Sequence, residues 1–264
     1  MQTNRDLVIS KKNKDNMKFI GIIPARYAST RFPGKPLEDI CGKMVVRRVY
    51  EQASKALDTV VVATDDERIY NAVETFGGKV VMTRKDHKCG TDRCLEAYEA
   101  ITTPAWREQN DRDTVIINIQ GDEPFIQPEQ IETLMGCFEQ EETDIATLVR
   151  PFTEADTPAD LENVNTPKVN WDVATGEAKM FSRKVIAASN GRYYRHIGIY
   201  AYRADVLAKI TKLPQSPLEI EERLEQLRWL ENGYKIRVGI TQTETIGIDT
   251  PEDLKKAIEW YKNS

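Results

Sequence analysis

Apolar runs alternate with amphipathic stretches along the first half of the chain. Phe19-Ile20-Gly21-Ile22-Ile23 lies in a strand expected over 18–24, and Thr59-Val60-Val61-Val62-Ala63-Thr64 and Thr114-Val115-Ile116-Ile117-Asn118-Ile119 repeat the pattern. Further strands are expected at 79–83 and 144–149, with helices at 43–57, 66–76, 92–102 and 128–140. Continuous apolar strands separated by helices predict βαβ units and a mostly parallel sheet covered on both faces. The pattern loosens over roughly 150–205, where Pro151, Pro158 and Pro167 accompany candidate strands at 168–173 and 195–203. This stretch reads as an inserted antiparallel subdomain. A helix over 219–231 would put Ile220, Leu224, Leu227 and Leu230 on one core-facing stripe. A strand near 236–241 and a helix from 252 to 262 close the chain. The expected organisation is a disordered extension over 1–16 followed by one α/β domain over 17–264.

Composition narrows the function classes. The 264 residues carry a formal net charge of -5, which argues against a broad nucleic-acid-binding face. Cys41, Cys89, Cys94 and Cys137 form no CxxC pair, and the chain has 2 histidines. A structural zinc site is therefore not expected, and a reduced, cytoplasmic protein is. No stretch has the 18 or more apolar residues of a membrane span, and the polar, lysine-rich residues 1–16 lack the apolar core of a signal peptide.

Against that acidic background the loop after the first strand stands out. Arg26, Arg31 and Lys35 fall close together with Ser29, Thr30 and Gly34. Such a loop can hold phosphate through backbone N–H groups and cations together. It is not a P-loop, because Gly34-Lys35 is followed by Pro36. The alternative is a solvated basic loop. Asp122, in Gln120-Gly121-Asp122-Glu123-Pro124 after a buried strand, suits Mg²⁺ or simply caps a turn. In Gly247-Ile248-Asp249-Thr250-Pro251, Asp249 or Thr250 is an N-cap with Pro251 at the first helical position; the other is left for a different role. Cys89-Gly90-Thr91-Asp92-Arg93 precedes a helix, with Thr91 as its expected cap and its amides available to a base or ribose. His196 in an apolar strand reads first as a satisfied core residue. Glu219 and Glu222 read as acids of a first helical turn.

The motifs PARYASTRFPGKPL, VVVATDD, GTDR, NIQGDEPFI, FSR at Phe181-Ser182-Arg183, HIGIYAYR, SPLE, LEQLR and GIDTPEDL occur in one order from Lys18 to the C-terminal helix. In that order the chain resembles the 3-deoxy-manno-octulosonate cytidylyltransferase family. The resemblance implies a Rossmann-like nucleotidyltransferase fold, a homodimer built on the inserted subdomain, and Mg²⁺-dependent transfer of CMP from CTP to Kdo for lipopolysaccharide biosynthesis. Transfer to 8-amino-Kdo or to another acid sugar such as a sialic acid is the alternative. It implies catalytic roles for Arg26, Lys35 and Asp122, and metal binding by Asp122 and Asp249. Pro24, Ala25, Arg26, Arg31, Lys35, Cys89, Gly90, Arg93 and Gln120 would form the nucleotide side. His196, Tyr200, Glu219 and Glu222 would form the sugar side. Two departures accompany the likeness: a short segment from Lys184 to Arg195, and Cys89 where the family commonly has serine.

Overall fold

The computed structural model describes residues 17–244 and 246–263, so the extension expected over 1–16 lies outside the described residues. The chain divides into two compact units. The first comprises the described residues up to Glu129, Arg203–Leu207 and 246–263. The second comprises Gln130–Tyr202 and Ala208–Glu244.

In the first unit, β1 (Lys18–Ala25) leads through a 3-10 turn (Lys35–Leu37) to a small hairpin of β2 (Asp39–Ile40) and β3 (Lys43–Met44). Then follow α1 (Val45–Ala56), β4 (Val60–Thr64), α2 (Glu67–Thr75), β5 (Val80–Met82), α3 (Gly90–Ile101) and β6 (Thr114–Asn118). Strands β5, β4, β1 and β6 lie side by side in that order, all parallel, with Ile22 opposite Val61 and Asn118. All five residues of β4 and all five of β6 are buried, as expected of strands with helices on both faces. Because β1, β4 and β6 point one way, the loops after them emerge at the same sheet edge, where ligands of open α/β sheets collect. The helix Pro251–Asn263 packs its Leu254, Ala257 and Ile258 on a cluster of Phe32, Ile40, Val45, Phe125 and Ile248.

The second unit contains β7 (Ile145–Pro151), β8 (Lys168–Asp172), β9 (Glu177–Ser182), β10 (Tyr194–Arg203) and β11 (Ile236–Ile240). Their order is β10, β7, β11, β9, β8; only the β7–β11 pair is parallel. The antiparallel strands expected within 150–205 thus share a unit with β7 and β11, and with β9, which local apolarity did not announce. The short segment after Arg183 ends in a tight turn at Asn190 and Gly191, both left-handed, closed by a Ser189–Arg192 bridge.

The helix expected over 219–231 is two helices, Pro217–Glu222 and Gln226–Glu231. Arg223 breaks it in the left-handed conformation (φ 54). Arg183 occupies the break: its Nε donates to the Glu222 carbonyl oxygen at 2.8 Å and its Nη2 to that of Arg223 at 3.4 Å. The break also undoes the apolar stripe. Leu224 and Leu227 are buried, but Ile220 is 62% exposed.

Candidate functional site

The basic loop is folded back on itself. The Tyr27 carbonyl oxygen accepts from Ser29 N and Gly34 N, both at 2.9 Å. Gly34 sits at φ +78 against the Tyr27 ring, so a side chain there would be strained and would press on the phenol. Arg68 from α2 stacks on the opposing aromatic surface, 3.2 Å from the Tyr27 ring centroid. The turn after Gly34 carries Lys35 inward until it is only 9% exposed.

Lys35 Nζ donates to Asp122 Oδ2 at 2.8 Å and lies 3.6 Å from Asp249 Oδ1. Arg31 Nη2 donates to the same Asp249 oxygen at 2.9 Å. Three loops far apart in sequence therefore meet through charge. Two backbone contacts fix their spacing. Ile248 N donates to the Asp122 carbonyl oxygen at 2.9 Å. A Cβ on Gly121 would stand 2.5 Å from the Pro24 carbonyl oxygen, so only glycine lets the β6 loop lie this close to the end of β1. The loops after β1 and β6, with Gly90, line a cavity of about 380 Å³.

Pro24, Ala25, Arg26, Arg31, Lys35, Gly90, Gln120 and Asp122 all line that cavity. Arg26 Nη1 donates to the His87 carbonyl oxygen at 3.2 Å. Two further nucleotide-side candidates have other positions. Arg93 is fully buried, with Nη2 on Asp65 Oδ2 at 3.0 Å and Nη1 on Thr83 Oγ1, and so ties α3 to the ends of β4 and β5. Cys89, rather than the expected Thr91, is the N-cap of α3. Asp249 is spared capping duty. Thr250 and Asp253 form the reciprocal pair at the helix start: Asp253 N donates to Thr250 Oγ1 and Thr250 N to Asp253 Oδ2. Among the described residues, the Asp249 carboxylate thus pairs with Arg31 and Lys35.

Asp122 and Asp249 also fit a hard divalent cation. They present carboxylate oxygens, the donors such ions take, and both already converge on one cationic nitrogen. No group of three or more His, Cys, Asp or Glu side chains with metal-binding geometry occurs among the described residues. An ion there would complete its shell with phosphate oxygens and water.

Two neighbours of the site gave no signal in sequence. The Glu123 carboxyl is pushed up to about 8 by burial and by the adjacent Asp122 charge, and its Oε2 is buried without a partner. His87, whose carbonyl holds Arg26, is buried and pairs through Nε2 with Glu96 of α3. Glu96 also accepts from Arg84 N at 3.1 Å. Nothing in local spacing links Glu96 to Arg26; the fold does.

The four sugar-side candidates belong to the second unit, where each has structural partners. His196 bonds Thr147 Oγ1 through Nε2 at 2.9 Å and packs on Phe181 and Tyr200, each 5.3 Å away. Burial pushes its pKa down to about 3, so the ring is neutral at ordinary pH. Tyr200 stands edge-on to Trp229 at 5.2 Å, and burial together with Glu225 drives its phenol upward. Glu219 accepts from Ser216 N at 3.2 Å and receives both Nε (2.8 Å) and Nη2 (2.5 Å) of Arg228. Although burial works to raise it, that guanidinium holds its carboxyl below the usual range. Glu222 accepts from Ser182 Oγ at 2.8 Å and Arg183 N at 2.9 Å.

A parallel sheet with cations and carboxylates gathered at the ends of β1 and β6 defines a phosphate-handling α/β protein of the nucleotidyltransferase class. The family model described as cytidylyltransferase matches residues 20–236. The 3-deoxy-manno-octulosonate cytidylyltransferase of Parabacteroides distasonis is 58% identical over 94% of this chain and 99% of its own. That of Bacteroides thetaiotaomicron is 58% identical over 94% and 99%. A solved CMP:2-keto-3-deoxy-manno-octonic acid synthetase complexed with CTP superposes with a TM-score of 0.82, at 40% identity, covering 93% of this chain and 99% of that one. The chain belongs to the 3-deoxy-manno-octulosonate cytidylyltransferase family.

Proposed function

We propose that this chain transfers CMP from CTP to 3-deoxy-D-manno-octulosonate (Kdo), releasing pyrophosphate, as a cytoplasmic step toward lipopolysaccharide. The observation that carries the reading is the ion cluster: Lys35 between Asp122 and Asp249, at a cavity also lined by Arg26 and Arg31. Cations there suit a triphosphate, and the likeness to relatives named for this sugar supplies the acceptor. No helix among the described residues is long and apolar enough to cross a membrane.

In the reaction the anomeric hydroxyl oxygen of the sugar bonds to the α-phosphorus of CTP. The bond from that phosphorus to the bridging oxygen breaks, and its electron pair leaves with pyrophosphate. Arg26 and Lys35 neutralise charge that grows on the phosphoryl oxygens and the leaving group, a fixed stabilisation most valuable where water is excluded. Pro24, Ala25, Gly90 and Gln120 shape the nucleotide side of the cavity. Arg93 and Cys89 act from behind it by fixing the start of α3. Asp122 and Asp249 would hold Mg²⁺, which when bound supplies Lewis-acid polarisation of phosphoryl oxygens. His196, Tyr200, Glu219 and Glu222 are read as the sugar-side framework, and the working form as a homodimer.

The test is pyrophosphate release from CTP with Kdo, 8-amino-Kdo and a sialic acid, each with Mg²⁺ and with chelator. Release with Kdo and Mg²⁺, absent with chelator, is expected. A clear preference for 8-amino-Kdo would transfer the assignment to that sugar, whose rival claim rests on the short Lys184–Arg195 segment and its Asn190-Gly191 turn. No release with any of the three would overturn both.

A further inference from the structure

A second cavity of about 320 Å³ in the first unit has no part in the chemistry above. Its walls include Arg48 and Lys55 of α1, Phe125, and Trp260 and Tyr261 of the last helix. Arg48 is 8% exposed. Its Nε donates to the Ile40 carbonyl oxygen at 3.0 Å, Nη2 points to the same oxygen, and its guanidinium lies 4.0 Å from the Tyr261 ring centroid. Lys55 is exposed and, among the described residues, donates to the Gln52 amide oxygen. Glu51 and Lys43 also line the cavity, and the Glu51 carboxylate is already engaged by Lys43 at 2.6 Å and Arg47 at 2.8 Å. Among the described residues, then, no carboxylate pairs with Arg48 or Lys55.

Among the described residues the Arg48 guanidinium meets a neutral carbonyl and a ring, and a bound anion would add a counter-ion to it. The remaining wall is aromatic. Trp260 is 44% and Tyr261 42% exposed, and both pack on buried Phe125, at 4.7 and 6.0 Å between ring centroids. Half-exposed rings beside unneutralised cations favour a flat, apolar group with a negative charge at one end. We propose that this cavity is a second ligand site that takes a small anion carrying a planar aromatic ring. Phe125 connects it to the reaction centre: Phe125 packs in one cluster with Ile248, whose N–H donates to the Asp122 carbonyl oxygen. An occupant would brace the wall behind Asp122.

The full-length chain, saturated with CTP, is titrated with phenyl phosphate by calorimetry and tryptophan fluorescence. Inorganic phosphate and phenol serve as half-ligands, and benzoate separates a carboxylate head from a phosphate one. Saturable binding of phenyl phosphate or benzoate is expected, roughly tenfold tighter than either half-ligand, since ring and charge each contribute about that factor. Trp260→Ala and Lys55→Gln should each weaken it several-fold while CMP transfer persists. Binding that CTP displaces would place the probe in the nucleotide cavity and overturn the proposal, without touching the CTP assignment. Absence of saturation at millimolar probe, or unchanged affinity in both variants, would overturn it as well.

Discussion

Glu123 makes the first unit's stability depend on pH in a direction opposite to that of most carboxylates. Its folded value of about 8 stands roughly three and a half units above the ordinary 4.5, because burial and the Asp122 charge both disfavour ionisation. Below pH 4.5 the proton is present in folded and unfolded chains alike, and the full contribution is intact. Between there and about 8 the unfolded chain has lost the proton while the folded chain keeps it, so stability falls as pH rises. At about 1.4 kcal/mol per unit, the loss approaches on the order of 5 kcal/mol, with roughly 3 already gone at pH 7. Glu123→Gln removes the titrating group and little volume. Urea midpoints for both proteins at intervals from about pH 5 to 9 isolate the effect as a difference, in which other titrations cancel. The variant should gain on the native chain steadily up to about pH 8 and then hold a constant lead. Parallel curves across that range would refute the reasoning.

Other variants probe the remaining contacts. Asp122→Ala and Asp249→Ala should each lower turnover by roughly 10²–10³ in steady-state kinetics while circular dichroism stays unchanged; near-normal rates would sink the metal assignment. Gly121→Ala drives a methyl group into the Pro24 carbonyl oxygen, at a cost of about 1–3 kcal/mol in denaturant stability. Equal stability would mean that the loops yield freely. Glu219→Ala removes the carboxylate that receives Arg228 Nε and Nη2, leaving Glu225 at 3.9 Å, and should cost about 1–3 kcal/mol; a raised KM for the sugar with stability intact would instead make Glu219 a ligand. Because the His196 ring is neutral far above its value of about 3, His196→Asn should leave the shape of the pH–rate profile between about pH 6 and 9 unchanged.

The first unit was legible because β1, β4 and β6 are apolar almost throughout, a pattern that survives without knowledge of partners. The strand-end rule brings the basic loop carrying Lys35 and the Asp122 turn to one edge, whereas Asp249 is signalled by its place beside a helix cap and by the family likeness. What escaped depends on tertiary contact. Arg183 stabilises the break at Arg223 from forty residues away, and helical periodicity is blind to that. Strand β9 alternates small, charged and apolar residues and owes its form to pairing with β8. Arg93 resembles a phosphate ligand until Asp65 and Thr83 surround it. Glu123 carries no signal in local spacing, and only the fold buries its Oε2.

The capping pair at the last helix has a consequence for how this protein tolerates change. Thr250 and Asp253 hold the helix start between them, so Asp249 owes the fold nothing but an exposed ion pair. If Asp249 holds the metal as proposed, a chain that lost this acid would keep its fold while losing its chemistry. On that proposal, inheritance could edit catalysis here without first passing through an unfolded protein, and an inert descendant would be hard to tell from its working parent by stability alone.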